Sequence, residues 1–184
     1  MEFSTNRRLA VIVLIVVVCL FSVIGVNGSL AKLSDKIGQG FYDGVENRDG
    51  YVEKSIQSHL DNIADAANGL VTLGKSIGIK EADELSAARI ALIEGKTVSE
   101  KFDSFTKVVS LSETVANGLL LSSRMPVNAD ALEYYASTVQ NAARAIGQLG
   151  YNDTVDEYYN KTLRTFPVSL FRPFITADGP EYFR

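Results

Sequence analysis

Side chains able to do acid–base, nucleophilic or metal chemistry are few in this chain, and their spacing favours none of the three. His59 is the only histidine, one position before Leu60 and close to Ser58 and Asp61. A general base needs a partner whose proton it can take, and no nucleophile pattern accompanies it. The chain has no Gly-x-Ser-x-Gly, no His-Glu-x-x-His and no Gly-rich phosphate loop. His59 therefore reads as a solvent-facing or interfacial helix residue. Glu81, Asp83 and Glu84 bunch at a helix start, where acids complement the positive end of the helix dipole. Asp43, Glu46 and Asp49 lie among glycines but lack the alternating acids and central Gly of a calcium loop. A single cysteine, Cys19, excludes an internal disulfide and a paired-thiol metal site. No catalytic, cofactor-binding or metal-ligating residue is expected, and the chain reads as a non-enzyme. Asn152-Asp-Thr and Asn160-Lys-Thr match the glycosylation sequon, which would carry no meaning were the protein bacterial and which arises often by chance in a chain of this length.

Charge narrows the partners. The formal net charge is −4; without Glu2, Arg7 and Arg8, 16 basic and 21 acidic residues remain, a net −5. A basic stripe for nucleic acid is absent. Hydrophobicity is concentrated instead: Leu9 to Val26 runs 18 residues without a charge, behind Arg7-Arg8. At 1.5 Å per residue this spans roughly 27 Å, enough for a bilayer core. No polar face interrupts it, so a buried helix of a soluble core does not fit. A positive start before an apolar run is also the pattern of an export signal. The run exceeds an ordinary signal core, which favours a retained single-pass signal-anchor; cleavage after Gly28, giving a secreted form, is the alternative. Cys19 follows three valines and does not suit lipoprotein processing. Arg7-Arg8 predict a cytoplasmic N-terminus and an extracytoplasmic domain.

Four regions follow: residues 1–28, tail and transmembrane or signal-anchor segment; 29–50, a linker; 51–167, a helical bundle; and 168–184, an aromatic tail. The linker contains Gly38, Gly40, Gly44 and Gly50, with at most a helical turn around Leu30 to Ile37. Val52, Ile56, Leu60, Ile63, Ala67, Leu70 and Ile77 step by threes and fours with only Gly74 interrupting, predicting a helix over 51–77 capped by Asp49 and stopped by Gly78. Leu85, Ala88 and Leu92 predict a short helix over 81–94. Thr97-Val-Ser-Glu100 reads as a capping box, opening a helix to about Ser123, with Val98, Phe102, Phe105, Val109, Ser112, Ala116 and Leu119 as its stripe. Met125-Pro126 breaks it. From Asn128 or Asp130 a last long helix is expected over 129–166, ended by Pro167. No stretch alternates like a strand. The fold class is all-α: an N-terminal transmembrane helix, then an antiparallel up-and-down bundle of three long helices and a short one.

Eight of the 17 aromatic residues fall between Tyr151 and Phe183. With Pro167, Pro173 and Pro180 the tail cannot continue a helix, so its rings need apolar surface: either the bundle, or a partner or membrane surface. We expect the tail to fold back on the bundle. Tyr151, Val155, Tyr159, Leu163 and Phe166 step by four, four, four and three, predicting one structural stripe. A fully buried Phe166 would then cost about 3–5 kcal/mol on truncation to Ala. Asn152 and Asn160 flank that stripe, placed to bond to a neighbouring helix or cap the linker.

Tyr151-Asn152, Val155, Tyr159-Asn160 and Phe166-Pro167, with Glu181-Tyr182-Phe183 near the end, resemble the LemA family. The likeness covers about 30 residues closely; Ser55 to Leu73 is loosely similar to the family's first bundle helix, without its Pro. The resemblance implies a membrane-associated bundle whose biochemical role is not established. The expected function is a membrane-anchored, non-enzymatic interaction or scaffold module at the outer face of a membrane. Its partners would be membrane lipid through the N-terminal helix and an unidentified protein, with no nucleic acid and no cofactor. The alternative is an extracytoplasmic sensory bundle holding a small ligand between helices. Only eight residues precede Leu9, which counts against sensing within the chain itself.

Overall fold

The computed structural model describes residues 3–44, 54–122 and 128–184. Its elements are α1 (Phe3–Asp43), α2 (Ile56–Ile77), α3 (Glu81–Glu94), α4 (Val98–Leu121), α5 (Ala129–Gln148), α6 (Tyr151–Asn160), a 3-10 turn (Thr162–Arg164), α7 (Val168–Phe171) and a second 3-10 turn (Arg172–Phe174). No strand occurs among the described residues. The chain is all-α and, among the described residues, one helix near its N-terminus is long and apolar enough to cross a membrane. It forms two compact units, one of residues 39–152 and 181–184, the other of residues 1–38 and 153–180.

In the larger unit, Ser55 caps α2 by accepting the Ser58 N–H at 3.0 Å. The expected start at 51, with Asp49 as cap, lies outside the described residues. Ile56, Leu60, Ile63, Ala67 and Leu70 are buried along one stripe as expected. Gly78 ends α2 at φ 81°, and the Ile79 N–H reaches back to the Gly74 carbonyl at 2.9 Å, a closing pattern that favours Gly there. α3 keeps the predicted bounds and buries Ala82, Leu85, Ala88 and Leu92. α4 opens with the capping box at Thr97 and Glu100. Val98, Ser112, Ala116 and Leu119 of the expected stripe are buried, but the buried face is wider and turned in the first half: Val108 and Val115 are fully enclosed, whereas Phe102, Phe105 and Val109 are half-buried at the margin. The rotation follows from α4 having helices on two sides. Asn128 caps α5 through the Ala131 N–H at 3.2 Å. The expected break at Met125-Pro126 and the end near Ser123 lie outside the described residues.

Contacts fix the sense of each helix. Arg89 of α3 donates to the Ala64 carbonyl of α2 at 2.9 Å, near the middle of both, as a hairpin requires. A Cβ on Gly74, late in α2, would lie 3.2 Å from Val115, late in α4, so α2 and α4 run the same way. Gly69 of α2 faces Tyr135 in the first half of α5, so α5 runs against α2. The order is up, down, up, down, and the apolar stripes meet in one core.

Two sequence expectations fail. Residues 29–43 are not a linker but the last part of α1. Leu30, Ile37 and Phe41 are buried, spaced by seven and four on one helical face. Each is worth roughly 1.5–3 kcal/mol of burial, against about 1 kcal/mol for each interior Gly, so the glycines are outweighed. The last helix is also not continuous over 129–166. It stops at Gln148, and Gly150 takes φ 63° before α6 begins. A left-handed residue resets the helix axis, so α6 leaves the line of α5.

Candidate functional site

Three constellations bring together residues far apart in sequence. The first, in the larger unit, is a latch built on Phe183. Its ring is 6% exposed and lies 5.1 Å from Phe102, 5.4 Å from Phe105 and 5.6 Å from Phe41, centre to centre. Tyr151 packs edge-on against Phe41 at 5.5 Å. Asn152 clamps the Phe183 backbone from both sides: its Nδ2 donates to the carbonyl and its Oδ1 accepts the N–H, each at 2.9 Å. The Tyr151 hydroxyl donates to the Glu181 carbonyl at 2.9 Å. The Glu181 carboxylate accepts the Val98 N–H at 2.8 Å and the Ser99 N–H at 3.4 Å. These belong to the first residues of α4, whose N–H groups have no partner within the helix.

Glu100 serves the same helix end from the inside. Its carboxylate accepts the Lys96 N–H at 2.8 Å and the Thr97 N–H at 3.2 Å. Those two backbone bonds hold its acid below the usual carboxylate range. The latch therefore closes the α4 N-terminus with two carboxylates, one local and one from the tail.

The second constellation lies in the smaller unit and centres on Asn27, the residue after the apolar run. Its Nδ2 donates to the carbonyls of Val23 and Phe174, both at 3.0 Å. Its Oδ1 accepts the N–H groups of Thr176 at 2.7 Å and Ala177 at 3.2 Å. One amide thus ties the 174–177 backbone to α1. In the same unit, Val155 and Tyr158 are buried, and the Tyr159 hydroxyl donates to the Pro180 carbonyl at 3.2 Å. Burial, and secondarily Tyr159, pushes the Tyr158 phenol up.

The third is a cleft of about 170 Å³ between α4 and α5, floored by Ser112 and Val139 and walled by Val109, Ala116, Leu120 and Ala136. Ser112 is 2% exposed, and its hydroxyl has no hydrogen-bond partner. Glu113, Asn117 and Gln140 supply the polar rim.

The predicted motif residues divide between these places. Tyr151 and Asn152 hold the latch, Val155 and Tyr159 pack in the smaller unit, and Asn160 ends α6 exposed. The expected stripe does not form. Tyr158, not Tyr159, is the enclosed ring, and Phe166 is 73% exposed, with Pro167 also exposed. α6 ends at Asn160 and a 3-10 turn follows, so the regular four-residue step that would carry Phe166 onto the stripe is lost. The burial assigned to Phe166 belongs to Phe183. Phe183 is among the tail rings expected to fold back on the bundle, and Glu181 belongs to the terminal Glu-Tyr-Phe likeness, but neither pattern predicts the clamp or the contact with α4, and Asn27 carried no expectation. A polar amide directly after 18 apolar residues was the available signal for Asn27.

The residues singled out for chemistry remain scattered. His59 is half-buried in α2, and burial, then Lys54, lowers its pKa. Asp83 pairs with Lys75 at 3.0 Å, and Glu81 and Glu84 share its turn. Asp43 ends α1; Glu46 and Asp49 lie outside the described residues. Among the described residues no three His, Cys, Asp or Glu side chains are grouped to hold a metal ion. Comparison with family models, curated proteins and solved structures finds no match to this chain.

Proposed function

We propose that this chain is a membrane-anchored helical-bundle protein resembling the LemA family, acting as a non-enzymatic interaction or scaffold module with its bundle outside the cytoplasm. α1 carries the reading. Its most apolar 18 residues have a mean hydropathy of 3.3, and none is buried against protein. Such a surface is strongly unfavourable in water and suited to lipid. Retention rather than cleavage is supported by two features. α1 is helical through Gly28, and Asn27, which cleavage after Gly28 would remove, holds four backbone groups. The resemblance to the LemA family is supported by Tyr151 and Asn152, which bond to Glu181 and Phe183, the other end of the motif.

The test is labelling in intact cells. With Cys19 replaced by Ala, a Ser137→Cys protein is treated with a membrane-impermeant maleimide. We expect the protein in the membrane fraction, labelled without permeabilisation. Labelling only after permeabilisation refutes the orientation, and a product beginning at Ser29 in the medium refutes retention. Photo-crosslinking in those membranes would then identify the protein partner.

A second reading, an extracytoplasmic sensory bundle holding a small ligand between helices, is favoured by the α4–α5 cleft. A buried hydroxyl without a partner costs about 1–3 kcal/mol, and a small amphipathic ligand would relieve it at Ser112. Ligand-dependent protection from thermal unfolding, lost in Ser112→Ala, separates this reading from the first.

A further inference from the structure

Residues 161–177 contain Lys161, Arg164 and Arg172 and no carboxylate, in a chain of net charge −4. Lys161 is paired with Glu157, which leaves the two arginines. Three large apolar side chains of the segment point outward: Phe166, Leu170 and Phe174 are 73, 62 and 60% exposed, while Leu163, Val168, Phe171 and Ile175 are half-buried. Three such groups within nine residues, set among arginines, form the kind of patch that marks an interaction surface.

The placement of the patch along α1 identifies its occupant. Asn27 holds the backbone of 174–177 one residue beyond the apolar run. Thr162 and Val168 face α1 at the other end: with Gly25, Val26, Ser29, Leu30 and Leu33 they line a cleft of about 280 Å³. Residues 162–177 therefore lie against α1 over positions 25–33. This is the level at which a span of 18 apolar residues, roughly 27 Å long, leaves the hydrocarbon.

We propose that residues 162–177 form a foot on the membrane surface. Phe166, Leu170 and Phe174 enter the boundary between headgroups and acyl chains in the leaflet from which α1 emerges, and Arg164 and Arg172 bind anionic lipid phosphates. The proposal rests on the anchored reading above. Apolar groups flanked by cations suit this boundary because the rings leave water while the charges stay in the headgroup layer. Guanidinium forks match phosphate oxygens in pairs. α1 already holds the foot at the surface, so a weak lipid affinity is sufficient. The exposure of Phe166, unexplained by packing within the protein, is then burial in lipid.

The chain has no tryptophan, so single substitutions make clean depth reporters. The full chain is reconstituted into phosphatidylcholine vesicles with and without phosphatidylglycerol, using lipids brominated at shallow or deep acyl positions. Four proteins are compared: Leu170→Trp, Phe174→Trp, Ile15→Trp within the apolar run, and Tyr134→Trp on the exposed face of α5. We expect the first two to emit blue-shifted and to be quenched most by shallow bromines. Ile15→Trp should be quenched by deep bromines and Tyr134→Trp by neither. Adding Arg164→Gln and Arg172→Gln to Leu170→Trp should weaken the quenching in anionic vesicles and leave it unchanged in neutral ones. Water-like emission at 170 and 174, or a blue shift without quenching because protein covers them, overturns the foot. Equal quenching with and without the arginines overturns the phosphate contact. An unquenched Ile15→Trp overturns the anchored reading itself, so the two failures are distinguishable.

Discussion

Truncating Phe183 should destabilise the bundle far more than truncating Phe166, although both rings lie in the C-terminal part of the chain. The Phe183 ring is 6% exposed and contacts three other rings. Phe→Ala at a buried site costs about 3–5 kcal/mol. A tail segment can lift away and let the cavity collapse, so the lower half of that range is expected. The same loss frees the Asn152 clamp and moves Glu181 off the α4 N-terminus. Phe166 is 73% exposed, and substitution of a surface residue usually falls within about ±0.5 kcal/mol. The assay is urea unfolding of the full chain in mild detergent, followed by circular dichroism. For a urea slope of about 1–3 kcal/mol/M, Phe183→Ala should lower the midpoint by roughly 1–4 M and Phe166→Ala should leave it in place. Equal shifts for the two variants, or none for Phe183→Ala, would refute the latch as a determinant of stability.

Asn152→Ala should cost about 1–3 kcal/mol in the same assay, because it leaves two backbone groups of the half-buried clamp without their partner. Combined with Phe183→Ala it should cost much less than the sum, since both break one latch. Gly69→Ala should destabilise although Ala favours helix by about 1 kcal/mol, because its Cβ would lie 2.4 Å from the Tyr135 ring; Tyr135→Ala should reverse the sign. Acid should weaken the bundle through Glu100, whose folded pKa is depressed by its backbone bonds. That contribution is present above the unfolded carboxylate pKa and is lost as pH falls through the folded one. Thermal midpoints of the parent and Glu100→Gln should therefore converge in acid and diverge toward neutrality; parallel curves would refute the contribution.

The latch gives the tail a role in the bundle that its composition leaves open. Two backbone N–H groups of α4 are met by a side chain more than 80 residues away, so the first turn of α4 depends on the tail being seated. In the smaller unit the same economy recurs at Asn27, where one amide orders several residues of extended chain. Both sites are polar side chains satisfying backbone that regular helix cannot reach.

Local pattern alone determined most of the helices of this protein. The spacing of Ile56, Leu60, Ile63 and Leu70, the capping box at Thr97 and Glu100, and the stop at Gly78 are properties of a few neighbouring residues. The membrane-length helix was equally legible, since 18 uncharged residues need no context to be apolar. Only the tertiary structure decided the rest. Residues 29–43 remain helical because Leu30, Ile37 and Phe41 find burial, which outweighs the helix-weakening glycines. Tyr151 and Asn152 bind Glu181 and Phe183 because Gly150 turns the chain before α6. Phe166 and Phe183 have the same side chain and similar aromatic surroundings in sequence. One faces outward and the other lies in the core because of the turns that follow Asn160 and the clamp at Asn152. Helix periodicity reports which side chains share a face over a few turns; it carries no information on where a non-helical tail is brought by hydrogen bonds to residues 30 to 150 positions away.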